Sequence, residues 1–146
     1  MKKFIQLTCI LLISLTTTSS LFSSEEIIKG RQEIFSKNYN TAKAVSTAIK
    51  SGDNEKAKEL LEEVSKNFNT LLKYFPEDSK TGFDTEALPA IWENSDEFVT
   101  LMQNASSNAL MLAKKLDDDT ADITSLEKEL LWNNCSACHK KFRLKK

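Results

Sequence analysis

Cys135, Cys138 and His139 stand in the run Cys135-Ser136-Ala137-Cys138-His139, a Cys-x-x-Cys-His spacing that matches the attachment site of a c-type haem. On a helix, residues three and four apart share a face. All three side chains can then address one flat macrocycle, the thiols as thioethers and the imidazole as an axial ligand. The same letters have other uses, each with a requirement. A zinc site takes about four ligands, and beyond the leader described next the chain holds these two cysteines and a single histidine. A thioredoxin-like pair needs a βαβ setting, and a disulfide across two residues of a helix has poor geometry.

The N-terminus reads as an export signal. Lys2 and Lys3 form a positive n-region, Phe4 to Leu15 an apolar h-region, and Thr16 to Ser24 a small-residue stretch with room for cleavage but no clean Ala-x-Ala. The apolar run is shorter than the ~20 residues a spanning helix needs, so residues 1–24 are expected to be removed rather than to anchor the chain. Cys9 would leave with them. Export suits covalent haem attachment, which in bacteria takes place outside the cytoplasm, and the expected location is the periplasm. Residues 25–146 then form one domain. The chain has 20 basic and 21 acidic residues; without Lys2 and Lys3 the balance is 18 to 21, a formal charge of −3. Such a balance argues against nucleic acid as a partner.

The elements that must position the motif follow from apolar spacing. Three Gly and two Pro leave few interruptions. A first helix carries Ile28, Arg31, Phe35, Asn38, Ala42, Val45 and Ile49 on one face and ends at Gly52. Asp53 caps a second helix with Ala57, Leu60, Leu61, Val64, Phe68, Leu71, Leu72 and Phe75 inward, which stops at Pro76. A connection from Glu77 to about Ala87 is the longest loop. The third helix starts near Pro89 and runs unbroken to about Leu116, with Ile91, Phe98, Leu101, Met102, Ala105, Ala109 and Leu112 inward. Asp117, Asp118 and Asp119 separate it from a last helix that begins between Thr120 and Thr124 and presents Ile123, Leu126, Leu130 and Leu131 before the motif. Four amphipathic helices with short first and third joints predict an all-α, antiparallel up-down-up-down four-helix bundle carrying covalently bound haem. Arg31 is the anomaly, a charge on an apolar stripe. It is either a helix-end arginine snorkelling into water or a cation for a haem propionate.

With these residues in place the chain resembles the cytochrome c′ family. The resemblance runs through Cys135 to Arg143, through Arg31-Gln32 in the first helix and through Pro89-Ala90-Ile91-Trp92 at the opening of the third. It implies one covalent haem c on Cys135 and Cys138, with His139 as the proximal iron ligand. Arg143 would lie beside the proximal imidazole, Arg31 near the propionates and Phe35 over the distal side of the iron, with Gln32 and Phe142 as further haem-binding residues. Relatives often have Leu at the position of Phe35. The resemblance further implies nitric oxide binding, with scavenging or transport as its use, and a homodimer through the first two helices.

Coordination number follows separately. A low-spin electron carrier usually has a second strong protein ligand such as Met or His, yet no other His exists and the first helix has no Met. Met102 reads as core and Met111 as its flank. Five-coordinate, high-spin iron with an apolar distal pocket is therefore expected, suited to neutral nitric oxide and carbon monoxide, whereas oxygen gains from a hydrogen-bond donor that Phe35 does not offer. No distal acid–base pair for peroxidase-like catalysis is visible, so the leading expectation is a binding protein rather than an enzyme. An electron-transfer cytochrome is the alternative. Lys140, Lys141, Arg143, Lys145 and Lys146 would steer its acidic redox partner, or form no more than a solvated tail. An enzyme of nitric oxide detoxification is the third reading.

Overall fold

The computed structural model describes residues 23–145; the export-signal reading and Cys9 lie outside them, apart from the last two residues of the leader. Helix α1 spans Ser24–Ser51 and opens with a capping box, in which the Ser23 side chain accepts from the Glu26 N–H and the Glu26 carboxylate accepts from the Ser23 N–H. Ser23 and Ser24 lie at the end of the stretch read as the leader. Gly52 closes α1 in the left-handed region at φ 75°, a position that favours glycine. One residue later the Asp53 side chain caps α2, Asn54–Leu71. A joint this short forces α1 and α2 antiparallel. A single 3₁₀ turn, Leu72–Tyr74, extends α2 to the stop before Pro76.

Two elements differ from the expected four unbroken helices. The third is split into α3, Ala90–Glu93, and α4, Ser95–Lys115, with Asn94 at φ −128° and ψ 49° between them. Asn competes with a helix by bonding locally, and the Asn94 side chain donates to the Ala90 carbonyl at 3.2 Å. The break also seats Trp92, whose Nε1 donates to the Phe75 and Pro76 carbonyls at 2.9 and 3.2 Å where α2 has run out. The last helix comprises α5, Ile123–Glu127, a π turn at Lys128–Trp132, and α6, Asn133–Phe142. Within the π turn the Asn133 N–H reaches back to the Lys128 carbonyl. The extra residue resets the inward face, which then runs Leu131, Cys135, Cys138, Phe142.

Helix α1 packs along α2, α2 along α4, and α6 along α4. The expected stripes form one core in which Ala42, Val45, Leu61, Val64, Leu71, Ala109 and Leu112 are essentially inaccessible. Phe35, Phe75, Trp92, Phe98 and Phe142 form an aromatic chain at one end, its tightest pair Phe75–Phe98 at 4.7 Å between ring centres. Helices α1 and α6 barely touch. Between them lies the cavity described below.

The connection between α2 and α3 is ordered by side chains from elsewhere. It holds a 3₁₀ turn at Glu77–Ser79 and three consecutive residues with positive φ: Gly82, Phe83 and Asp84. Its end pairs with the C-terminus through an isolated antiparallel bridge, Ala87 with Arg143, flanked by Leu88 N–H to Phe142 O at 3.0 Å and Leu144 N–H to Glu86 O at 2.8 Å.

Candidate haem site

Cys135 and Cys138 occupy the cavity face of α6 because they continue the stripe that Leu131 begins and Phe142 ends. Both thiols are free and half-buried, and Cys135 Sγ donates to the Leu131 carbonyl at 3.5 Å. Burial raises the Cys135 thiol above its ordinary range. Burial, with Cys135 beside it, pushes Cys138 up to about 11. Thiols held neutral in this way do not suit a reactive redox pair, which depends on thiolate. Among the described residues no group of three His, Cys, Asp or Glu side chains is placed to hold a metal ion by itself. His139 sits at the cavity rim. Lost hydration, then the Arg143 charge, lower its pKa against an opposing pull from Glu86. A neutral imidazole, the form that ligates iron, is favoured.

The cavity measures about 840 Å³, and Arg31, Gln32, Phe35, Cys135, Cys138, His139, Phe142 and Arg143 all line it. Its walls are mainly apolar, with Phe35, Phe68, Phe75, Phe98, Met102 and Leu131 among them. A volume of this size, two thiols on one face and an imidazole one residue further fit a covalently held macrocycle. The eight residues that the sequence assigned to the haem site therefore line one cavity.

Arg31 does not snorkel. Its side chain is buried at 3% exposure, and its terminal nitrogens donate four hydrogen bonds to the connection. Nη1 donates to Ser79 Oγ at 2.9 Å and Tyr74 O at 3.3 Å, Nη2 to Ser79 O at 2.9 Å and Thr85 Oγ1 at 2.5 Å. The guanidinium also lies 5.0 Å from the Phe75 ring centre. Burial lowers its pKa, though arginine remains charged. Gln32 Nε2 donates to the carbonyls of two of the three positive-φ residues, Asp84 at 3.3 Å and Phe83 at 3.5 Å. Arg143 extends toward Glu86, with Nε and Nη2 each 2.6 Å from Oε2. Phe142 is buried edge-on against Phe98.

Sequence reasoning missed Trp132, a cavity-wall residue, and the partners that hold it. Trp132 Nε1 donates to Glu127 Oε1 at 2.9 Å, and Ser46 Oγ of α1 donates to the same oxygen. Neither partner is recognisable before the π turn is known. Asn38 stood on the first helix's apolar stripe and was as anomalous there as Arg31.

A single all-α bundle with a thiol pair and an imidazole facing a large apolar cavity defines a c-type haem protein of the four-helix class. The model of the family described as Cytochrome C′ matches residues 26–143. The chain is 35% identical over 103 residues to cytochrome c-556 of Agrobacterium tumefaciens (strain II Chrys), covering 70% of this chain and 82% of that one. The solved cytochrome c′ of Rhodopseudomonas palustris superposes with a TM-score of 0.70 at 30% identity, covering 82% of this chain and 97% of the other. A ferrous variant of cytochrome c prime from Alcaligenes xylosoxidans with bound NO shares the fold at TM-score 0.71 and 21% identity, over 86% and 99% of the two chains. The chain belongs to the cytochrome c′ family, whose members carry covalently attached haem c.

Proposed function

We propose that this chain is a periplasmic haem protein with an open sixth iron position that binds neutral diatomic gases, nitric oxide and carbon monoxide, as a stoichiometric binder rather than an enzyme. Cys135 and Cys138 would hold the haem and His139 would ligate the iron. The observation that carries the reading is the composition of the wall opposite His139. The α1 side of the cavity, with Phe35 among its lining residues, offers no methionine or histidine as a second iron ligand.

Phe35 excludes water from the distal side and gives a bound gas no hydrogen bond. Arg31 and Gln32 hold the connection beside the cavity, with Arg31 also a fixed cation in its lining that would suit a propionate. Arg143, tied to Glu86, keeps positive charge beside the proximal imidazole. Removal of residues 1–24 and export would put the protein where covalent attachment takes place. Use in nitric oxide scavenging or transport is supported by kinship with a protein solved with NO bound.

One observation favours electron transfer as a second reading. Met102 is buried in the cavity wall, and a c-556 is among the relatives. Met102 rises from α4, which packs directly on α6. Met111 is half-exposed and does not line the cavity. Absorption spectra of ferric and ferrous protein, with and without carbon monoxide, decide between the readings. A high-spin ferrous spectrum that converts on adding carbon monoxide supports the open position. A low-spin spectrum abolished by Met102→Ala establishes methionine ligation instead.

A further inference from the structure

Asn38 lies on α1 two turns beyond Arg31 and one beyond Phe35, at 5% exposure, and lines the cavity. Its Oδ1 accepts from Asn67 Nδ2 of α2 at 3.0 Å. That bond turns the other end of the amide away from α2, and Nδ2, itself buried, has no acceptor in the protein. Apart from His139, the other side-chain nitrogen donors lining the cavity are committed. Arg31, Gln32, Trp132, Asn134 and Arg143 all donate to protein oxygens. A buried donor left unmet costs about 1–3 kcal/mol, so an acceptor arriving in the cavity recovers free energy at this one point.

We propose that Asn38 is a specificity-determining residue, its Nδ2–H donating to the acceptor end of a small ligand held at the haem iron. Phe35 supplies an apolar part of the distal wall and Asn38 a buried polar contact. Ligands whose outer atom accepts a hydrogen bond well, such as cyanide and azide, then draw more of their binding from Asn38 than carbon monoxide, whose outer atom accepts weakly. The proposal rests on the open sixth position, and a closed position would overturn both readings.

The test uses the ferric and ferrous holoprotein. In Asn38→Leu, similar in size but without a donor, ferric cyanide and azide affinities should fall about 5- to 15-fold, the loss of one hydrogen bond of ordinary strength. Ferrous carbon monoxide affinity should stay within about twofold, since little of its binding rests on the bond. Wild-type protein in D₂O should also shift the vibrational frequency of bound cyanide, a shift that Asn38→Leu abolishes. Should the variant not fold, the wild-type isotope shift stands alone as the test. Unchanged cyanide affinity, an equal loss for all three ligands, tighter cyanide binding in the variant, or no isotope shift in wild type would each overturn the role of Asn38. Normal carbon monoxide binding alongside such a result would leave the open position standing.

Discussion

Removing the Arg31 guanidinium should unfasten the connection between α2 and α3. Its two bonds to Ser79 are fully buried, and hydrogen bonds to a charged group contribute about 1.5–3 kcal/mol each. The bonds to Tyr74 O and Thr85 Oγ1 are partly exposed and count for less. Against this, burial already penalises the charge, and that penalty is relieved when the group goes. Arg31→Ala should therefore cost about 2–4 kcal/mol, leaving the Ser79 carbonyl buried without its donor. With a urea m-value of about 1–3 kcal/mol/M, the unfolding midpoint of the holoprotein should drop by about 1–2 M. Arg31→Lys keeps the charge but cannot reach four acceptors from one ammonium, so it should recover less than half of the loss. A loss under about 0.5 kcal/mol in Arg31→Ala, with a clear change in reduction potential, would refute the loop-fastening role and leave Arg31 as a propionate partner alone.

Phe35→Ala should speed carbon monoxide association and tighten its binding by about 1–3 kcal/mol, the usual range for relieving an overpacked site; unchanged kinetics in a folded, high-spin variant would move the distal wall elsewhere. Acidified organic solvent should fail to extract the pigment, and intact mass should exceed the processed chain by one haem, while Cys135→Ala or Cys138→Ala should sharply reduce holoprotein. Clean extraction from wild type would contradict covalent attachment. Acid should weaken the fold partly through Asp118 and Asp122, whose carboxyls are held below their ordinary range chiefly by side-chain hydrogen bonds from Thr120 and Ser125. A depressed folded-state pKa means stabilisation that is present above about pH 4 and lost as the pH falls through the folded value. Asp122→Ala should flatten that acid limb in pH-dependent unfolding, and an unaltered limb would assign it to other carboxylates.

What could be read in advance was whatever repeats along a helix. The apolar stripes, Gly52, Asp53 and the stop at Pro76 are local signals, and the structure follows them closely. The haem-site residues were legible because a covalent motif has a fixed spacing. The break at Asn94 and the π turn were not. The break seats Trp92 on the Phe75 and Pro76 carbonyls, and the π turn brings Trp132 to Glu127, which Ser46 of α1 also meets; the carbonyls and Ser46 lie far off in sequence. Arg31 shows the boundary well. Its position on the stripe marked it as unusual, but only the folded connection shows four oxygens gathered around it. Asn38 gave the same kind of signal and differs in the outcome, because one end of its amide finds no partner in the chain.

The bridge between Ala87 and Arg143 joins the end of α6 to the same connection that Arg31 grips from α1. Both ends of the described chain thus report to one short segment, across sequence separations of 48 and 57 residues. Local fraying at the C-terminus has to break that segment's hold as well, so the tail behind the haem motif is fastened like a drawstring knot rather than left as a loose end. Hydrogen exchange at the Leu88 and Leu144 amides should accordingly rise and fall together with each other. Arg31→Ala, made more than 50 residues away in sequence from both, should accelerate the two alike.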